Sequence, residues 1–187
     1  MRKIIVAILA LSLGVAAAQA QPTPKVLTVN MEELYENFYK AQEANEKFKS
    51  SVQSAEDEVK AMIEEGRVMF QELEDLQEKI DNPGTAETAK EAFRAELEEK
   101  RERVRQKEAE VNQYRQTTQR TLQQRRQSIV NLHISEIKEV VNQVAEEKGA
   151  DLVLNSNPNS MAVIYYNESL DITDAVLTEL NADKSAE

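Results

Sequence analysis

His133 is the only histidine in the sequence and cysteine is absent, so the side chains best suited to proton transfer and metal binding near neutral pH reduce to one imidazole. A lone imidazole on a helix, with no second His, no Cys and no paired Ser and Asp, reads as a structural or surface residue. The adjacent carboxylates Glu64-Glu65 and Glu98-Glu99 could attract a cation. They lack the oxygen-rich loop spacing of a calcium site, and carboxylates divide into acid and base only in a water-poor pocket. A solvated helix face suits them better. The run KRERVRQK (100–107), with Arg115, Arg120, Arg125 and Arg126, has the cation density of a phosphate-binding surface. An acidic partner helix opposes that reading, and no glycine-rich phosphate loop accompanies the run. The chain reads as a non-enzyme, without cofactor, metal or nucleic-acid partner.

Composition says what kind of scaffold carries these residues. The chain has 187 residues with a net charge of −11, four glycines, four prolines, 5% aromatic and 30% charged residues. That mix suits long helices with solvated faces better than an ordinary globular core. Residues 1–20 read as a cleaved secretory signal: Arg2 and Lys3, the apolar run Ile4 to Ala18, then Ala18-Gln19-Ala20. Fifteen apolar residues are short for a membrane span, which needs about 20. Losing Arg2 and Lys3 takes the 23 bases to 21 against 34 acids, so the mature charge is −13. This acidity argues against simple attraction to anionic lipid. The cleaved signal predicts an exported protein.

Residues 21–30 are a short linker, restrained by Pro22 and Pro24, followed by the strand-like KVLTVN (25–30). From Met31 the period becomes helical. Met31, Leu34, Phe38, Ala41, Asn45, Phe48, Val52, Ala55, Val59, Met62, Gly66, Met69, Leu73, Leu76 and Ile80 follow one another in steps of three and four. Sustained over seven heptads, this is a coiled-coil seam. Asp81-Asn82-Pro83-Gly84 ends the helix, and a second runs from near Thr85 to about Lys148, with Gly149 as its C-terminal cap. Its seam includes Phe93, Leu97, Val104, Val111, Tyr114, Leu122, Ile129 and Leu132, with Lys100, Lys107, Thr118 and Arg125 interrupting. A four-residue turn predicts an antiparallel hairpin, so 31–148 forms an arm with its tip near 81–84.

Charge supports the pairing. Glu32 to Lys79 carries fourteen acids and six bases, whereas Lys100 to Arg126 carries nine bases and three acids. Folding about the turn sets these stretches against each other. Fifty residues of helix make a rod of about 75 Å, and two helices give it a thin, flexible middle.

After Gly149 the period falls to two. Asp151 to Asn155 and Met161 to Asn167 are rich in β-formers around the turn-prone 156–160, which predicts a β-hairpin. Asp171 then caps a short helix, 172–180, and 182–187 reads as a disordered tail. The strand at 25–30 has no neighbour in sequence, so it pairs with this hairpin, and 149–181 completes the body. The fold expected is α+β: a three-stranded β-body with a long antiparallel helical hairpin inserted between its first and second strands. Val26, Leu27, Val29, Leu152, Val153, Leu154, Val163, Ile164 and Tyr165 form its sheet and oligomer core. Three strands and one short helix bury too little alone, so oligomerisation is expected.

KVLTVNMEELY at 25–35, with GADLVLN and AVIYYNESLDITDAVLTELN across 149–181, resembles the two ends of the OmpH-like family of periplasmic chaperones. The resemblance implies a homotrimer in which three β-bodies join and three helical arms enclose a cavity. It also implies an ATP-independent holdase whose partners are unfolded outer-membrane proteins. The acidic charge departs from the basic character of the family's best-studied member. Within the arm, Ile63, Val68 and Phe70 lie off the first seam. They either pack on the return helix near Phe93 and Leu97 or, with the adaptable Met62 and Met69, face clients. The alternative function is a structural or adaptor coiled coil of the envelope, which would present a fixed recognition stripe.

Overall fold

The computed structural model describes residues 23–186; the expected signal segment, 1–20, lies outside them. The elements are β1 (Val26–Val29), α1 (Met31–Asn37), α2 (Tyr39–Asp81), α3 (Glu87–Glu147), β2 (Leu152–Asn155) and α4 (Thr173–Leu180). Among the described residues, no helix is long and apolar enough to cross a membrane.

β1 and β2 pair in parallel, Val26 opposite Leu152 and Val29 opposite Asn155. A parallel pair requires a crossover, and the whole helical hairpin is that crossover. It works because α3 returns past the body to the start of β1. There Gly149 turns the chain at φ +63°, a left-handed conformation glycine adopts freely. The Asp151 amide donates to the Lys25 carbonyl (2.8 Å), and the Lys25 amide donates to the Asp151 carboxylate (2.7 Å). The Lys25 ammonium also donates to the Lys148 carbonyl, so the end of α3 is fastened to the first strand.

The expected β-hairpin does not form. The sheet has two strands, and 161–167 carries none. Pro158–Ser160 closes into a 3-10 turn, and Met161 follows at φ +51°, which breaks an extended run before it starts. The free edge of β1 is already used: Thr28 bridges to Asp171, with the Ile172 amide donating to the Thr28 carbonyl (2.9 Å). Val163 is therefore only half-buried, while Ile164 (98% exposed) and Tyr165 (85%) stand in solvent. Within one chain these three are not sheet core. Leu152 and Leu154 are exposed too, Val153 is half-buried against the core, and only Leu27 and Val29 are buried members of it, with Val26 half-buried beside them.

Helices supply most of the core. Leu34 and Phe38, with Ala41 at the start of α2, meet Ile137, Val141 and Val144 of α3 and Ile172, Val176 and Leu180 around α4. Asn30 caps α1, accepting the Glu33 amide on its side chain (3.3 Å). Asp171 accepts the Thr173 amide (2.7 Å), although α4 begins one residue later than the sequence suggested. At the expected tail, Asp183–Ala186 forms a 3-10 turn, and Asp183 lies 3.8 Å from the Lys40 ammonium.

The first helix is also not continuous. Phe38 adopts an extended conformation (φ −75°, ψ 115°) between α1 and α2. The break frees the Tyr39 amide, which an unbroken helix would direct to Tyr35. Asn181 takes both sides of the gap: its Oδ1 accepts from the Tyr39 amide (3.0 Å) and its Nδ2 donates to the Asn37 carbonyl (3.0 Å). The C-terminal end of the body thus holds the root of the arm. Replacing Asn181 by Ala should lower the unfolding free energy by about 1 kcal/mol and speed hydrogen exchange at Tyr39. A urea melt and amide exchange check this; unchanged protection at Tyr39 would show that the side-chain bridge is not holding the break.

Candidate functional site

The arm is built on one seam. Every predicted seam position from Met31 to Ile80 is buried or half-buried, the polar exceptions Asn45 and Gly66 included. Asn45 accepts a hydrogen bond from the Tyr35 hydroxyl (3.4 Å), and Gly66 packs where a side chain would meet the stem of Lys107 at 3.7 Å. Toward the tip, Leu76, Ile80 and Leu97 form a second core, flanked by Leu73 and Phe93. Pro83 and Gly84 turn the chain there, with the Thr85 hydroxyl donating to the Lys79 carbonyl (2.8 Å). Between the two cores the seam is a single layer, and only Met62 and Val111 are buried in it.

Two of the three cations interrupting the α3 seam meet acids of α2, and the third, Arg125, donates to the Ser51 hydroxyl (3.3 Å). Lys100 lies 2.6 Å from Glu72, and Lys107 lies 2.9 Å from Glu65 and 3.0 Å from Glu110. The hydrogen bond from Lys100, reinforced by its charge, holds the Glu72 carboxyl below its ordinary value. Hydrogen bonds to Glu65 and Glu110 raise the Lys107 ammonium above its own. The cation run 100–107 therefore belongs to the hairpin's internal pairing, completed by Arg101–Glu98 and Arg105–Glu102 along the helix.

His133 is buried at the root of the arm. Its ring meets Phe38 edge-on at 5.7 Å and its Nδ1 lies 2.8 Å from Glu136. It takes the core position expected of Leu132, which is exposed instead. The arrangement has no nucleophile or second imidazole to work with, and among the described residues no group of three or more His, Cys, Asp or Glu could hold a metal.

What the arm does offer is apolar surface. Of the five residues singled out in its outer half, Met62 is buried and Met69 half-buried in the seam, whereas Ile63 (45% exposed), Val68 (46%) and Phe70 (54%) face solvent. The packing of these three against Phe93 and Leu97 is not found: that end of α3 packs with Leu73, Leu76 and Ile80. Ile63 and Phe70 border an open groove of about 510 Å³ with Met62, Val104 and Val111. Ile63 is shared with a second groove of about 570 Å³ along Val52, Val59 and Leu122. The sequence reading missed this continuity, although Ile63 and Phe70 stand one heptad apart, a spacing that places two residues on one helix face.

A long helical hairpin springing from a two-stranded α/β body defines an arm-bearing class of protein. The crystal structure of a proposed outer-membrane chaperone (OmpH-like) from Caulobacter crescentus CB15 shares this fold, with a TM-score of 0.70, 18% identity, and coverage of 91% of this chain and 92% of that one. Residues 25–180 match the family described as Outer membrane protein (OmpH-like), and the chain belongs to it. No curated protein sequence matches.

The shifted groups set the arm's response to pH. Glu72 titrates lower in the folded chain, so its contribution is present above its ordinary value of 4.5 and lost as pH falls through the depressed one. Lys107 titrates higher, so its contribution holds below 10.5 and is lost as pH rises through the raised value. The helical melting temperature should be flat around neutrality and decline in acid. The step should be small because these pairs are exposed and screened, and Glu72→Gln should reduce it. Circular dichroism melts across pH, with and without about 1 M salt, check this.

Proposed function

We propose that this protein is an ATP-independent periplasmic holdase that binds unfolded outer-membrane proteins between the flexible arms of a homotrimer. The observation carrying this reading is the exposure of Ile63, Val68 and Phe70 on the outer half of an arm whose own cores lie elsewhere. Dispersed apolar side chains on a thin two-helix rod can hold many sequences weakly without committing to one. Membership of the OmpH-like family and the fold shared with a proposed outer-membrane chaperone support a chaperone role. An adaptor would be expected to carry a fixed recognition stripe, and Val68 lies outside the grooves that Ile63 and Phe70 line.

The trimer gives the body its missing partners. β2 pairs on one side only, its Leu152 and Leu154 are exposed, and so are Met161, Ile164 and Tyr165 in the chain that follows it. In this reading neighbouring copies cover them. The net charge of −11 leaves apolar contact, and not general attraction to acidic clients or lipid, as the main binding force. No nucleotide is consumed: a client leaves when the membrane offers it a state of lower free energy.

Excess protein should suppress aggregation of an unfolded outer-membrane barrel diluted from urea. The variant carrying Ile63→Glu, Val68→Glu and Phe70→Glu should keep its helical content and lose most of that activity. Light scattering and circular dichroism read the two effects. Sedimentation should give a trimer at micromolar concentration, and a monomer there would overturn the cage.

A further inference from the structure

The two grooves that share Ile63 form one trough on one face of the arm, from Val52 and Leu122 to Phe70 and Val104. Its floor is apolar and its rims are charged. Three of its four cations are already paired: Lys60 with Asp57 (3.1 Å), Arg67 with Glu64 (2.6 Å) and Lys107 with Glu65 (2.9 Å). Arg115, beside Thr118 and Gln119 on the α3 rim, makes no ion pair among the described residues. Glu56 stands on the α2 rim of the same groove. Glu108 stands on the α3 rim of the other groove, so it is in the groove along Val52 and Leu122 that a carboxylate is attracted to Arg115 and repelled from Glu56.

Length sets the rest. Eighteen residues separate Val52 from Phe70, a helical rise of about 27 Å. About eight residues of extended chain, at roughly 3.3 Å each, cover that distance and place every second side chain on one face. A membrane-spanning β-strand is about 9–11 residues long and alternates apolar and polar side chains along its length.

We propose that this trough binds one extended client segment of alternating apolar and polar residues, apolar side chains inward, with a carboxylate of its polar edge on Arg115. The proposal rests on the chaperone reading and deepens it, because it gives the arm an oriented site for a single strand of a future barrel where general apolar stickiness would need none.

Fluorescent ten-residue peptides and the full chain test it. The first peptide alternates apolar and polar residues and carries one Asp, the second has the same composition with its apolar residues in a block, and the third replaces Asp by Asn. Anisotropy should show the alternating peptide binding about tenfold tighter than the block peptide. The Asn peptide should bind about two- to fivefold weaker than its Asp parent. Ile63→Asp with Phe70→Asp should abolish the preference for alternation, whereas Arg115→Gln should remove only the difference between Asp and Asn. Equal affinity for the alternating and block peptides overturns the strand site, as does an Asp–Asn difference that survives in Arg115→Gln. So does tighter binding of an eighteen-residue amphipathic helix, or a change of oligomeric state in Phe70→Asp showing that a second copy fills the trough. Suppression of barrel aggregation, measured on the same preparations, separates the two claims: suppression without peptide discrimination keeps the holdase and removes the site, and the reverse removes the holdase and keeps the site.

Discussion

A pair of helices has one seam to bury, and that constraint governs the rest of this molecule. In a larger bundle each helix meets several neighbours and hides a wide stripe; here the middle of α2 meets only α3, along a single row. Apolar burial thickens only where a third element arrives. At the root, the body brings β1 and α4 to the seam around Ile137 and Val176. At the tip, the turn gathers Leu76, Ile80, Leu97 and Phe93 into a small core of its own. Between them, stability leans on ion pairs such as Lys107–Glu65, which are worth little in water.

The body inherits the same shortage. Two four-residue strands cannot stand alone, and α1, α4 and the last turns of α3 are what cover them. This explains why α3 outruns α2: its final turns belong to the body, and its first fifty residues to the arm. It also explains the break at Phe38. The ring points into the core beside His133, the helix gives way there, and Asn181 satisfies the backbone groups that the break exposes.

Much of this was legible because one rule covers most of the chain. A period of 3.5 identified every α2 seam position, and opposite charge set the cation-rich stretch 100–126 against the acidic helix, although the partners Glu72 and Glu65 of Lys100 and Lys107 are seen only in the structure. The failures occur where the partner changes. On α3 the pattern that leads from Leu122 to Leu132 slips to His133, Ile137, Val141 and Val144, because the helix there leaves α2 and meets α1 and α4. Residues 161–167 have the side chains of a strand, but Met161 at φ +51° breaks the extended backbone where the run would begin, and Asp171 already lies against β1. Phe38 carries no local signal at all, since it fits the seam and its break depends on an Asn 143 residues away in sequence. Of the candidate site, the position of Ile63, Val68 and Phe70 off the seam was legible, but it left packing on the return helix open, and their exposure is settled only by the fold. The continuity of the trough was not legible, because it needs the rotation of α3 about its axis.

The thin seam finally relates mobility to binding. A side chain such as Phe70 would be drawn inward if a third helix stood over it; with none there, it remains at the surface at the expense of solubility. The acidic charge offsets that expense, since a net −11 keeps copies with exposed apolar arms from associating indiscriminately. Converting Lys100 and Lys107 to Leu would complete the seam and stiffen the rod, yet it would also remove two partners of the α2 acids and flatten the electrostatic relief along the arm. The polar interruptions are thus consistent with the rest of the design: they weaken the hairpin in the same stretch where it presents its apolar side chains to solvent.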